Sequence, residues 1–136
     1  ETIYPAIERA KKAGMLVHTY WIVGYPGETY EEIQKTVDFA MNSGADSFSF
    51  SNLQPLPGTP IYRQVVRENL WWKNRSLDDM LLRSSLIKVD GFSSPEEFEK
   101  FTDDINRKAN LMLKEKDPAR FQLKYGVNDS SIVHQV

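Results

Sequence analysis

Two short stretches hold the residues best suited to chemistry. Gly24-Tyr25-Pro26-Gly27-Glu28-Thr29 follows the apolar run Met15 to Val23, and Leu56-Pro57-Gly58-Thr59 follows a second run, Ser47 to Leu53. Glycine removes the side chain where a chain leaves a strand, so main-chain N–H and C=O groups can come close to a flat ligand. A helix beginning just after such a turn adds free N–H donors. This combination suits recognition of a ring with donor and acceptor edges, such as a nucleobase. It does not suit phosphate, because Glu28 stands where the anion would bind and no Walker spacing or lysine follows. A single proline–glycine turn is a common connector and needs no ligand to explain it. Two in matched context set the functional explanation beside the structural one.

Other polar residues weigh less. Asn52 and Gln54 stand where the second run meets its loop; they either face a ligand or satisfy loop backbone. Period two puts Phe48, Phe50 and Asn52 on one face and Ser49, Ser51 and Leu53 on the other. We expect the phenylalanines to point outward against helices, with the small serines inward. His18 reads as a satisfied core histidine, and His134 as a solvated tail residue. Asp78-Asp79 and Asp103-Asp104 read as solvated helix faces, and no His or carboxylate pair has metal-ligand spacing. Tyr20, Trp21 and Tyr25 either line a cavity or pack the core, and packing is the simpler role. Trp71-Trp72 should pin the later, polar part of the chain to the elements before it, since burying two indoles stabilises by several kcal/mol, roughly.

The elements that must position these groups are set by periodicity. Ile3, Ala6, Ile7, Ala10 and Ala13 predict a helix over about residues 2–13, with Gly14 just past its end. Met15 to Val23 is β-branched and aromatic with little alternation, as in a strand covered on both faces. Tyr25-Pro26-Gly27-Glu28 predicts a type II turn. Thr29 and Glu32 form a capping box for a second helix, whose buried stripe is Ile33, Val37, Ala40 and Met41 and which Gly44 closes. Ser47 to Leu53 is a second strand, and Leu56 to Thr59 a second type II turn. Thr59 caps a third helix with Pro60 at its first position and Ile61, Tyr62, Val65 and Val66 on its buried face. Pro26 and Pro57 stand 31 residues apart, about one βα unit, since a βαβ needs roughly 30 residues. Both turns then lie at the carboxyl ends of parallel strands, the edge where such folds bind ligands.

Beyond about residue 69 the chain is polar with scattered apolar anchors. Leu77, Met80, Leu81 and Ser84 suggest a short helix, and Lys88 to Asp90 an extended piece. Ser94 caps a long helix over about 95–115, with Pro95 first and Phe98, Phe101, Ile105, Ala109 and Met112 as its apolar stripe. Residues 126–136 lack periodicity and read as a loosely ordered tail.

The whole chain has 136 residues, 40% hydrophobic and 26% charged, with a net charge of −2. That is one ordinary domain's worth of chain, and the charge makes no case for nucleic acid or an anionic membrane. No apolar run approaches the roughly 20 residues of a membrane span. The first residues are charged and helical, unlike a signal peptide. Cysteine is absent, so these residues supply no disulfide, thiolate nucleophile or Cys-ligated metal. The chain opens on Glu1, already within a helical pattern, and we expect it to be a piece of something larger.

The stretch AKKAGMLVHTYWIVGYPGETYEEIQKTVDFAMNSGAD followed by PLPGTPIY resembles the C-terminal half of a radical S-adenosylmethionine (radical SAM) catalytic domain. It is most similar to the branch that holds tRNA methylthiotransferases, cobalamin-binding radical enzymes and the anaerobic Mg-protoporphyrin monomethyl ester cyclase type. The joint signature is Gly-x-Pro-Gly-Glu-Thr after one strand and Pro-Gly-Thr-Pro-x-Tyr after the next. It covers roughly residues 1–70; residues 71–125 resemble only the helical extension that often comes after the barrel. The resemblance implies an α/β fold, a fragment of a partial TIM barrel, (β/α)6, in which the two βα units are strands five and six. It implies a parent enzyme that binds S-adenosylmethionine and a 4Fe-4S cluster and forms a 5′-deoxyadenosyl radical, with a cobalamin domain as a further option upstream. Ile22, Val23 and Gly24 would support the adenine from one side, and Leu53 and Gln54 from the other. The C-x-x-x-C-x-x-C motif of the family is absent here, so this piece alone should be inactive and hold no cofactor. Its expected partners are SAM and an unknown small-molecule substrate, with no membrane; the expected compartment is the cytoplasm.

Two rivals remain beside it. An aldolase-like barrel fragment would need a lysine or paired acids at strand ends, and none stands there. A stand-alone α/β binding or scaffold module should be a closed monomer. A barrel fragment should expose strands short of partners and self-associate.

Overall fold

The computed structural model describes residues 3–81 and 83–125, the last two without their side chains. His134 and the expected tail lie outside them. The described chain is mixed α/β with two parallel strands and five helices: α1 (Ile3–Lys12), β1 (His18–Val23), α2 (Tyr30–Met41), β2 (Ser47–Asn52), α3 (Pro60–Glu68), α4 (Pro95–Lys116) and α5 (Pro118–Tyr125), with a 3₁₀ turn at Leu77–Asp79. Among the described residues, one compact unit gathers residues 3–21, Val37–Ser49 and residues 103–125. The other holds Ile22–Thr36 and Phe50–Thr102.

In the first unit, Asp46 is the polar hub. Its carboxylate accepts hydrogen bonds from Lys11 Nζ at 2.7 Å and from the Val17 N–H at 2.8 Å, and Arg120 Nη1 lies 3.6 Å away. It thus ties the end of α1, the approach to β1 and α5 to the start of β2. The Asp46 and Ser47 N–H groups both reach Val17 O, at 2.9 and 3.3 Å. On the apolar side, Phe39 of α2 meets Tyr4 edge-on at 4.7 Å and Trp21 at 5.6 Å. Phe48 is buried and shares a cavity of about 330 Å³ with Met41, Ala45, Ala109 and Leu113, so it does face the helices. His18 is half-buried and hydrogen-bonded as expected, its Nδ1 2.6 Å from Ser47 Oγ and its Nε2 3.1 Å from Ser49 Oγ.

In the second unit, Leu53, Val65, Leu86 and Ile87 form a core onto which Ile61, Leu70, Trp71 and Met80 pack. The Trp72 N–H donates to Leu86 O at 3.1 Å and the Lys88 N–H to Leu70 O at 2.8 Å, flanking a bridge between Trp71 and Ile87. The tryptophans therefore pin the segment after them, and Trp72 Nε1 adds a bond to Ser85 Oγ at 3.1 Å.

Several expectations need correction. β1 begins at His18; Met15 and Leu16 are exposed. Tyr20 is 80% exposed and Ile22 50%, so β1 is not covered on both faces. Apolar composition marks a demand for burial and does not show that these residues meet it. Val66 and Leu81 are exposed, and only Leu77–Asp79 of the expected short helix forms, with Ser76 as its cap. The buried stripe of α4 runs Phe98, Thr102, Ile105, Ala109, Leu113, while Met112 lies off it. α5 was unforeseen, although Asp117-Pro118 carries the same cap-then-proline signal as Thr59-Pro60; the Arg120 N–H donates to Asp117 Oδ1 at 3.0 Å.

Burial works against the charge of Asp46, but the hydrogen bonds from Lys11 and Val17 and the charges of Lys11 and Arg120 outweigh it, holding its carboxyl below the usual range. A depressed folded value stabilises above the ordinary carboxylate pKa and is lost as pH falls through the folded one. Asp46→Asn should therefore cost about 1–2 kcal/mol at neutral pH. Urea titrations should show the gap to the unaltered protein closing below about pH 4. A gap that stays constant down to acid pH would refute the charge-based account.

Candidate functional site

The site is built at the carboxyl ends of the two strands, within the second unit. The Leu53 N–H donates to Val23 O at 2.9 Å, continuing a register in which both strands advance in the same direction. Each strand then enters a tight turn. The Glu28 N–H closes on Tyr25 O at 2.9 Å and the Thr59 N–H on Leu56 O at 3.2 Å, with Gly27 at φ 81° and Gly58 at φ 89°. These are the two type II turns predicted, and positive φ explains glycine at the third position of each. Because the strands are parallel neighbours, both turns open at one rim.

Each turn hands the chain to a capped helix. At α2 the Thr29 N–H donates to Glu32 Oε2 at 2.9 Å and the Glu32 N–H returns to Thr29 Oγ1 at 3.3 Å. The bond from the Thr29 main chain, and then that from its hydroxyl, hold the Glu32 carboxyl below its ordinary value. At α3 the Tyr62 N–H donates to Thr59 Oγ1 at 3.1 Å.

The five predicted site residues are brought together only in part. Val23 and Leu53 adjoin through their main-chain bond, with both side chains buried. Ile22 is half exposed. Gly24 is buried at φ 85°, and a Cβ there would lie 2.8 Å from Phe98 Cε1 and 3.3 Å from Val89 Cγ2. Its glycine thus answers to a close approach as well as to backbone conformation. Gln54 is half-buried; its Nε2 donates to Ser84 O at 2.7 Å and to Asn52 O at 3.3 Å. Asn52 Nδ2 donates to Arg83 O at 2.7 Å. Of the two roles open to these amides, backbone satisfaction is the one seen for their donors.

Glu28 has a role that its sequence position did not disclose. Its Oε2 accepts from the Gly24 N–H at 2.7 Å and from the Tyr25 N–H at 3.1 Å. Two of the main-chain donors expected to be free are therefore taken. The clue lay in the spacing, since a carboxylate three and four residues beyond two turn N–H groups can fold back onto them.

The fit to the two implied groups differs. A purine amine needs an acceptor, and Gln54 Oε1, at this rim, is a buried acceptor with no hydrogen-bond partner among the described residues. Gly27 and Gly58 have open space where a side chain would stand. A 4Fe-4S cluster does not fit: the chain has no cysteine, and among the described residues no group of three His, Cys, Asp or Glu is placed to hold a metal. Among the same residues, no helix is long and apolar enough to cross a membrane.

Comparison with known proteins bears on the same question. The chain is 32% identical over 110 residues, 76% of its length, to cytidylyl-2-hydroxyethylphosphonate methyltransferase of Streptomyces wedmorensis. It is 32% identical over 81 residues, 56% of its length, to an uncharacterized methyltransferase of Pyrococcus horikoshii. It is 29% identical over 99 residues, 71% of its length, to the tRNA-2-methylthio-N(6)-dimethylallyladenosine synthase of Zymomonas mobilis. These relatives support the radical SAM family coarsely. They select no branch within it. The chain spans about a fifth of the curated relatives it matches, 21%, 18% and 20% of their lengths. No family model matches the chain, and no solved structure does.

The close approach at Gly24 separates two otherwise similar glycines. Gly24→Ala should cost about 2 kcal/mol or more, because it adds a clash to an unfavourable φ. Gly27→Ala, with nothing within 4 Å of the new methyl, should cost only about 1 kcal/mol. Urea unfolding of both variants checks the order; equal losses would mean that Phe98 exerts no constraint at Gly24.

Proposed function

We propose that the chain is the C-terminal part of the catalytic barrel of a radical SAM enzyme, supplying main chain that supports adenine and part of the substrate cavity. The observation that carries this is the pair of proline–glycine corners at one rim of a parallel strand pair, each in the motif context of that family. On this proposal β1 and β2 are strands five and six of a (β/α)6 partial barrel spanning residues 1–70, and residues 71–125 are a helical extension. Ile22, Val23 and Gly24 then meet the adenine from one side, Leu53 and Gln54 from the other, and Gln54 Oε1 is the acceptor available to an exocyclic amine. The cluster and SAM, when bound, supply a 5′-deoxyadenosyl radical. Thiolates outside this sequence must hold the cluster, so the 136-residue piece alone is inactive.

Two relatives carry methyltransferase names, and group transfer is the reaction class we propose for the parent enzyme. An upstream cobalamin domain, a small-molecule substrate and a cytoplasmic setting complete the proposal. A stand-alone binding module would cover its sheet, and the exposure of Tyr20 and Ile22 weighs against it.

Two experiments test this. The longer protein, anaerobically reconstituted with iron and sulfide, should turn brown and release 5′-deoxyadenosine and methionine from SAM under a strong reductant, while residues 1–136 alone should do neither. Absence of a three-cysteine motif upstream of Glu1, or no SAM cleavage by a brown protein, would end the assignment. Sedimentation of the 1–136 piece should give a mass above a monomer's; a clean monomer would favour the binding module.

A further inference from the structure

The same rim is contacted by one continuous stretch of chain. Phe98, at the start of α4 and 1% exposed, places its ring edge 2.8–3.0 Å from where a Cβ on Gly24 would stand, with Val89 beside it at 3.3 Å. Thr102 Oγ1, one turn further along α4, lies 2.7 Å from Asn52 Oδ1 at the end of β2, while Asn52 Nδ2 donates to Arg83 O at 2.7 Å. Ser84 O takes the Gln54 carboxamide at 2.7 Å. This stretch is itself tied down. The Ser85 N–H donates to Glu99 Oε1 at 2.8 Å, and Arg75 Nη2 bridges Glu96 and Glu99 at 3.1 Å each. Phe92, Phe98, Phe101 and Tyr30 interlock with ring centroids 4.8–6.2 Å apart.

So the end of β1 is fixed by Val89 and Phe98, and the end of β2 by Arg83, Ser84 and Thr102. Residues 83–102 contact both ends, and no other described segment supplies all of these contacts. We propose that residues 83–102 are the element that sets the spacing of the two corners, making Phe98 and Thr102 positioning residues for SAM binding although neither belongs to the barrel strands. This rests on the adenine-supporting role of the rim. It adds that the helical extension is part of the cofactor site's construction. A hydroxyl buried against a carboxamide and a ring seated on a glycine are the kind of support that fixes a binding surface within fractions of an ångström.

The test uses the reconstituted full-length enzyme and SAM itself. Thr102→Val removes the hydroxyl at nearly constant volume, and Phe98→Ala empties the seat on Gly24. Each should weaken SAM binding, measured by equilibrium dialysis, by about tenfold. Iron content should stay unchanged, and the loss should appear in KM for SAM with kcat at saturation largely retained. Thr102→Ser, which keeps the hydroxyl, should restore affinity close to that of the unaltered enzyme. If Phe98→Ala fails to fold, Phe98→Leu, which keeps bulk but loses the flat edge, takes its place with a smaller loss in the same direction. Folded Thr102→Val and Phe98 variants that bind SAM like the unaltered enzyme overturn the inference and leave the radical SAM assignment standing. An unaltered, brown enzyme that binds no SAM overturns both.

Discussion

The hydrogen bond from the Leu53 N–H to Val23 O, 2.9 Å long, fixes the relation on which the site depends. It joins the last residue of one strand to the first residue beyond the next, in a pair that advances in one direction. Parallel neighbours must deliver the chain to the same edge of the sheet, and the crossover between them must be long enough to hold a helix. The turns at Pro26-Gly27 and Pro57-Gly58 are therefore neighbours by necessity. An antiparallel pairing of the same residues would have parted them, leaving two unrelated connectors. Everything proposed about a purine at this rim inherits its geometry from that one direction of travel.

The surroundings of the rim show how much of it is already spoken for. Glu28 folds back on the Gly24 and Tyr25 N–H groups, and Asn52 and Gln54 spend their donors on the carbonyls of Arg83 and Ser84. The corners are thus tied by hydrogen bonds before any ligand arrives. Ties of this kind lower the ordering cost of binding. The residual polar capacity is narrow, and Gln54 Oε1, without a hydrogen-bond partner among the described residues, is its clearest member. The proposed support for adenine then draws on main-chain shape at the strand ends more than on a wide array of free donors.

Much of this was legible in the sequence, and the boundary of legibility has a physical cause. The second strand, both type II turns, the Thr29–Glu32 box, the Thr59 cap and α4 are local features, written in proline, glycine, cap residues and periodicity, and they stand close to where expected, while β1 starts three residues later, at His18. The resemblance to a known family was carried by the same local signals. Facts of depth and distance escaped. Period alone could not tell Met112 from Leu113, because a helix stripe drifts and only packing selects the buried neighbour. The apolar β1 read as doubly covered, yet Tyr20 lies open. Nothing near Gly24 in the chain announces Phe98, which approaches from the far side of a long connection. Glu28 was legible as an obstacle to phosphate; its service to two N–H groups needed the turn's geometry.

Hydrogen–deuterium exchange on the reconstituted full-length enzyme, with and without SAM, addresses the shared rim most directly. If one adenine lies against both corners, peptides covering residues 22–29 and 53–59 gain protection together and with the same dependence on SAM concentration. Bound SAM that protects only one of the two corners, or neither, would contradict a common site.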